Sequence, residues 1–124
     1  MRLFVICLLN LFPIPLGYLI YSGGAPAQIA FIELCHLILL HVNFHYAKAE
    51  KYILLYNSLL LLSTFAFHSI NGHLYFSRIC DDMLGRAISA GTTIISCLIV
   101  IIVTIIQMTV MYIRNRNKNA ENIQ

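Results

Sequence analysis

The chain has 124 residues, 60% hydrophobic and 10% charged, with a net charge of +3, against about 45–50% apolar and about 25% charged in an average soluble domain. That balance excludes an ordinary water-soluble globule and points to a single domain solvated mainly by lipid. The cationic residues gather at 114–118 and 48–51, a distribution that bears on membrane topology and makes no nucleic-acid surface.

Four apolar runs are long enough, at about 1.5 Å per residue, to cross a hydrocarbon core of about 30 Å. The first, residues 3–21, contains Asn10, Pro13, Pro15 and Gly17 and ends in Ser22-Gly23-Gly24. Ala25-Pro26-Ala27 has the small-residue spacing of a signal cleavage site, but the run exceeds the usual signal core of about 7–15 residues and reads as an uncleaved span. The second, 27–47, carries Glu33, His36, His41, Asn43 and His45, and a tight turn follows at 48–51. The third, 52–70, ends at Asn71-Gly72, a pair that favours a turn because both residues tolerate positive φ.

Residues 73–86 place Leu74, Tyr75, Ile79 and Met83 at helical spacing among Arg78, Asp81, Asp82 and Arg86, which predicts a short helix lying along the membrane surface. The fourth run, 90–113, is the most apolar, and the polar tail 115–124 is expected to lack regular structure. The expected fold is all-α: an integral membrane bundle of four transmembrane helices over 1–114, with an interfacial helix between the third and fourth.

With the N-terminus inside, the cytoplasmic side holds Arg2, Lys48, Lys51, Arg114, Arg116 and Lys118, and the outer loops only Arg78 and Arg86. This asymmetry predicts a multi-pass protein of a plasma membrane, bacterial in layout, with both termini cytoplasmic. Tyr21, Tyr46, Tyr52 and Tyr112 fall at span ends, where a ring with one polar edge suits the headgroup layer.

Asn57, Thr64 and His68 lie within about 40° of one another on the third helix, and Thr93, Ser96, Cys97, Thr104 and Gln107 within an arc of about 100° on the fourth. Both polar stripes are expected to face inward. A hairpin centred on Ala49 sets His41 level with Asn57, and Glu33 level with Thr64 and Phe65. A carboxylate this deep costs about 2.5–3.5 kcal/mol on insertion scales, so Glu33 needs partners. His36, three residues on, is the natural one, with Ser63 or Thr64 completing the set. The candidate proton or partner site is therefore Glu33, His36, His41, Asn57, Thr64 and His68. The alternative is that these side chains only hold helices in register.

The same register puts His36 level with Leu62 and His68 level with Ala30, about 9 Å apart in depth, so a haem ligand pair is not expected within one chain and only a symmetric dimer could provide one. Glu33-x-x-His36 matches one element of a di-iron bundle but lacks the second element and the further glutamates. His73, Cys80, Asp81 and Asp82 offer metal-ligand types without a recognised spacing. The cysteines Cys7, Cys35, Cys80 and Cys97 show no CxxC or zinc-finger pattern. No metal, cofactor or catalytic constellation is expected. Compared with small multidrug exporters, whose layout is similar, Glu33 lies on the second span rather than the first, and Trp is absent. The expected role is noncatalytic: an accessory, regulatory or protective, immunity-like membrane protein acting through helix contacts. Its partners are the lipid bilayer and either a second copy or a larger membrane protein. The alternative is a dimeric proton-coupled transporter centred on Glu33 and His36.

Overall fold

In the computed structural model, the described residues are 2–14, 26–79 and 83–124, and they form four helices with no strand among them. They are α1 (Arg2–Leu11), α2 (Pro26–Tyr46), α3 (Glu50–Ile79) and α4 (Met83–Ile123). α3 packs against all three others, and its contact with α4 is the most extensive.

The helices alternate in direction. At one end Ile6 of α1, Ala47 after α2, Ile53 and Tyr56 of α3, and Met111 of α4 share a buried cluster. One layer further along, Leu40, Leu60 and Val100 meet from α2, α3 and α4. Arg2, Lys48, Lys51 and Arg114 therefore stand at the same end of the bundle. There Arg114 lies over the Phe44 ring at 5.9 Å and Lys51 over Tyr52 at 5.2 Å, so long cationic side chains cover apolar surface while keeping their charged heads at its edge.

Two helices, α3 over Glu50–Ile70 and α4 over Ala90–Ile123, are long and apolar enough to cross a membrane. The described apolar stretches of α1 and α2 are shorter. In α4 only 17% of the apolar window is buried, so it is no soluble core helix. Ile94, Ile95, Ile102, Ile105 and Ile106 are all exposed, more apolar surface than a water-solvated monomer usually presents. The polar arc of α4 turns the other way, with Ser96 buried and Thr93, Cys97, Thr104 and Gln107 half-buried.

Three expectations need correction, and a fourth falls partly outside the described residues: the first apolar run is interrupted at Phe12, which is in a turn with its N–H donating to Leu9 O at 3.2 Å, Pro13 and Ile14 are helical again, and 15–25 lie outside the described residues. Pro13 accounts for the break, because it has no N–H and disfavours helical geometry at the residue before it. α3 runs through Asn71-Gly72 to Ile79, since one glycine inside an established helix costs only about 1 kcal/mol. The interfacial helix is consequently not a separate element: 73–79 end α3 and 83–86 begin α4, while Cys80, Asp81 and Asp82 lie outside the described residues. The tail is helical to Ile123, although exposed, because extending a nucleated helix is far cheaper than starting one.

Across the bundle, one layer in from the basic end, runs a continuous chain of side-chain amides. Asn10 and Asn43 donate to each other's oxygens at 2.8 Å, and Asn43 Nδ2 also donates to Asn57 Oδ1 at 2.9 Å. Asn57 Nδ2 donates to Thr104 Oγ1 at 3.0 Å and Gln107 Oε1 at 2.8 Å, and Gln107 Nε2 returns to Leu40 O at 2.9 Å. All four helices are joined, and Asn10, Asn43 and Asn57 are no more than 1% exposed. α2 ends with Ala47 N–H on Asn43 O at 3.0 Å and α3 opens with Tyr52 N–H on Ala49 O at 3.0 Å, and the short connection between them sets the register of the middle of this chain. By contrast, a Cβ added at Gly91 meets nothing within 4 Å, so the small-residue pattern of α4 is not used at Gly91 for packing within the chain.

Asn43→Ala removes the junction of the amide chain and leaves the side-chain oxygens of Asn10 and Asn57 without the donor they share in Asn43. It is expected to lower stability by about 2 kcal/mol or more, measured as thermal unfolding of the purified protein, whereas His41→Ala, at an exposed position of the same helix, should leave it unchanged.

Candidate functional site

The second polar layer is built around Glu33, near the opposite end of the bundle. Its carboxylate is reached from two other helices: His68 Nε2 of α3 stands 2.7 Å from Oε1, and Ser96 Oγ of α4 donates to the same oxygen at 2.8 Å. Oε2 faces His36 of its own helix, whose Nδ1 lies 3.6 Å away, within ion-pair range but beyond a hydrogen bond. The three imidazole and carboxylate ligand atoms of Glu33, His36 and His68 lie within 4.8 Å of one another.

Aromatic packing fixes the two histidines. The Phe67 ring stands edge-on to His68 at 5.0 Å and to His36 at 6.1 Å, and the two imidazoles are 6.2 Å apart between centroids. His36 is 2% exposed, yet neither of its ring nitrogens has a hydrogen-bond partner among the described residues. Ser63 Oγ is in the same state. Glu33 itself is 30% exposed and opens on a cavity of about 230 Å³ between α2 and α4, whose walls include Leu37, Ile95, Ser96 and Ile99. The recess is half-open and its walls are mainly apolar, with Glu33, His36, Thr92 and Ser96 as its polar residues, so a water or ion there would be held at the Glu33 end.

The expected site residues divide into three groups. Glu33, His36 and His68 converge. Asn57 belongs to the amide chain, and Thr64 is buried with its hydroxyl returned to Leu60 O of its own helix at 2.8 Å, so neither touches Glu33. His41 is exposed and joins no cluster. The level of Asn57 is taken instead by Asn43, and the level of Leu60 by Leu40.

The separation in depth between His36 and His68 is smaller than expected: with Asn43 facing Asn57 and Leu40 facing Leu60, His36 is level with Thr64, about four residues or 6 Å from His68, and the two ring centroids are 6.2 Å apart. The hairpin is centred near residue 50, not 49, and one residue at the turn displaces every facing pair by two positions on α3. The long side chains of Glu33 and His68 close the rest. Ser63 and Thr64 therefore give up their expected places beside Glu33 to His68 and to Ser96. Ser96 has its place on the polar arc of α4, but its depth depends on where α3 ends and α4 begins, which the expected break at Asn71-Gly72 misplaces. His73, the remaining histidine of the external metal-ligand group, has no described side chain.

Chemically, a carboxylate with a histidine at hydrogen-bond distance can share, accept or pass a proton, and a second histidine with open nitrogens adds a further acceptor. Glu33→Gln retains an oxygen for Ser96 and is expected to preserve stability. Glu33→Ala removes the acceptor of both His68 and Ser96 and should cost about 1–3 kcal/mol in thermal unfolding.

No protein-family model, curated protein or solved structure matches this chain, and the site stands on its own geometry.

Proposed function

We propose that the chain is a multi-pass plasma-membrane protein in which all four helices cross the bilayer, and that Glu33, His36 and His68 form a proton-exchanging centre within it, coupled to movement of a small ion or molecule. The supporting observation is the contrast between the two polar layers. Side chains that only join helices end with their hydrogen bonds satisfied, as the amides of the Asn10–Gln107 chain do. The second layer leaves His36 unsatisfied and Glu33 open to a cavity. Burying polar groups without partners is costly, and ionisable groups at membrane depth are rare outside pathways for protons and ions.

The basic end faces the cytoplasm in this reading, by the positive-inside rule. A bundle of this size encloses little volume, so transport calls for a second copy. A noncatalytic accessory or protective role, through contact with a larger membrane protein, is the second reading. It is supported by the exposed outer face of α4 and the open space at Gly91.

In topology mapping, tags at Lys48 and Arg116 should report from the same, cytoplasmic side; opposite sides would remove a span. In proteoliposomes carrying an internal pH dye, the wild-type chain is expected to support proton flux, and folded Glu33→Gln to lose it by tenfold or more. A stoichiometric larger membrane protein copurifying in mild detergent, with no Glu33-dependent flux, would favour the accessory role instead.

A further inference from the structure

We infer that Glu33, His36 and His68 constitute a binding site for a divalent first-row transition ion, with Zn2+ as its natural size and charge. The inference rests on the reading of this cluster as an exchange centre and names the ion it handles. Two imidazoles and one carboxylate are a recurrent ligand set for such ions, and this mixture is poorly suited to Mg2+ or Ca2+, which take oxygen ligands.

Geometry supports it. Metal–ligand bonds of about 2.0–2.2 Å hold the ligand atoms of a tetrahedral site about 3.3 Å apart. The His68–Glu33 distance of 2.7 Å must open slightly, the His36–Glu33 distance of 3.6 Å must close slightly, and no pair in the triad exceeds 4.8 Å. These are rotamer-scale adjustments in side chains whose helices are already in place.

The independent observation is His36. Its ring is 2% exposed, has Nδ1 3.6 Å from Glu33 Oε2, and has two nitrogens without hydrogen-bond partners among the described residues. A buried imidazole in that state is destabilising on its own, and a lone pair given to a metal ion is the use its position offers. Ser96, donating to Oε1 at 2.8 Å, would orient the carboxylate from outside the ligand set. The cavity beside Glu33 gives a fourth position to water or to an incoming ligand. For His68 Nε2 to ligate, it must be free of its proton, which moves to Nδ1 of the same ring or leaves to solvent. Metal and proton thus compete for one nitrogen.

The test is a Co2+ titration of the full chain in lipid nanodiscs, read by ligand-field absorption and by metal content, with thermal unfolding as the check on folding. The expected result is one Co2+ per chain with four- or five-coordinate bands. His36→Leu should abolish binding while leaving stability equal or higher, because it removes two unsatisfied polar atoms. His68→Gln should also abolish it, Ser96→Ala should weaken it by about 10- to 100-fold, and His41→Ala should leave it unchanged. The absence of a spectral change, a thiolate charge-transfer band, or binding that survives in folded His36→Leu would each overturn the inference. Glu33-dependent proton flux without Co2+ binding would refute the metal site and leave the exchange centre standing; Co2+ binding without flux would do the reverse.

Discussion

Placing side-chain amides inside an apolar bundle is tolerable only when each finds a partner, and here the partners come from every helix. Asn10, Asn43, Asn57 and Gln107 form one chain from α1 through α2 and α3 to α4 and back to the backbone of α2. Apolar layers lie on both sides of it, Ile6–Ile53–Met111 toward the basic end and Leu40–Leu60–Val100 toward the other. Apolar contacts permit sliding, because one leucine packs against another at many depths. The amide chain does not, since a shift by one residue would break several hydrogen bonds at once. It thereby fixes the relative depth of all four helices, and with it the meeting of Glu33, His68 and Ser96, about ten residues or 15 Å further along.

That dependence explains why two layers with similar composition differ in character. The amide layer is satisfied and nearly sealed. The Glu33 layer is held in place by it and is left incomplete: one acidic oxygen accepts from two helices, the other faces a histidine at 3.6 Å, and that histidine has no hydrogen-bond partner among the described residues. Rigidity in one layer allows an unsatisfied site in the other, because the cost of the second is borne by the packing of the first. The exposed isoleucines of α4 complete the picture, as a large apolar face that suits a lipid surrounding better than water.

Much of this was legible from residue type and spacing. The inward turn of Asn57, Thr64 and His68, the polar arc of α4, the extent of α2 and the gathering of basic residues at one end all follow from helical periodicity and charge. The depth of individual residues did not, because a one-residue difference in the turn after Ala47 exchanges the partners of every side chain on the hairpin. A signal was nonetheless present: Asn10, Asn43, Asn57 and Gln107 each stand five to eight residues from a basic residue at the end of their helix, counted to Arg2, Lys48, Lys51 and Arg114. Equal depth from a common boundary predicts a shared layer. Asn71-Gly72 misled for the opposite reason, since local turn preference does not decide where a long helix ends.

The central claim is that one amide chain ties the four helices together at a common depth. Magic-angle-spinning NMR of the protein in lipid bilayers, with asparagine and glutamine side chains labelled in carbon and nitrogen, reads that chain directly. The account predicts through-space correlations in unbroken order from Asn10 to Asn43 to Asn57 to Gln107. Fully helical backbone signals without the Asn43–Asn57 correlation would contradict it.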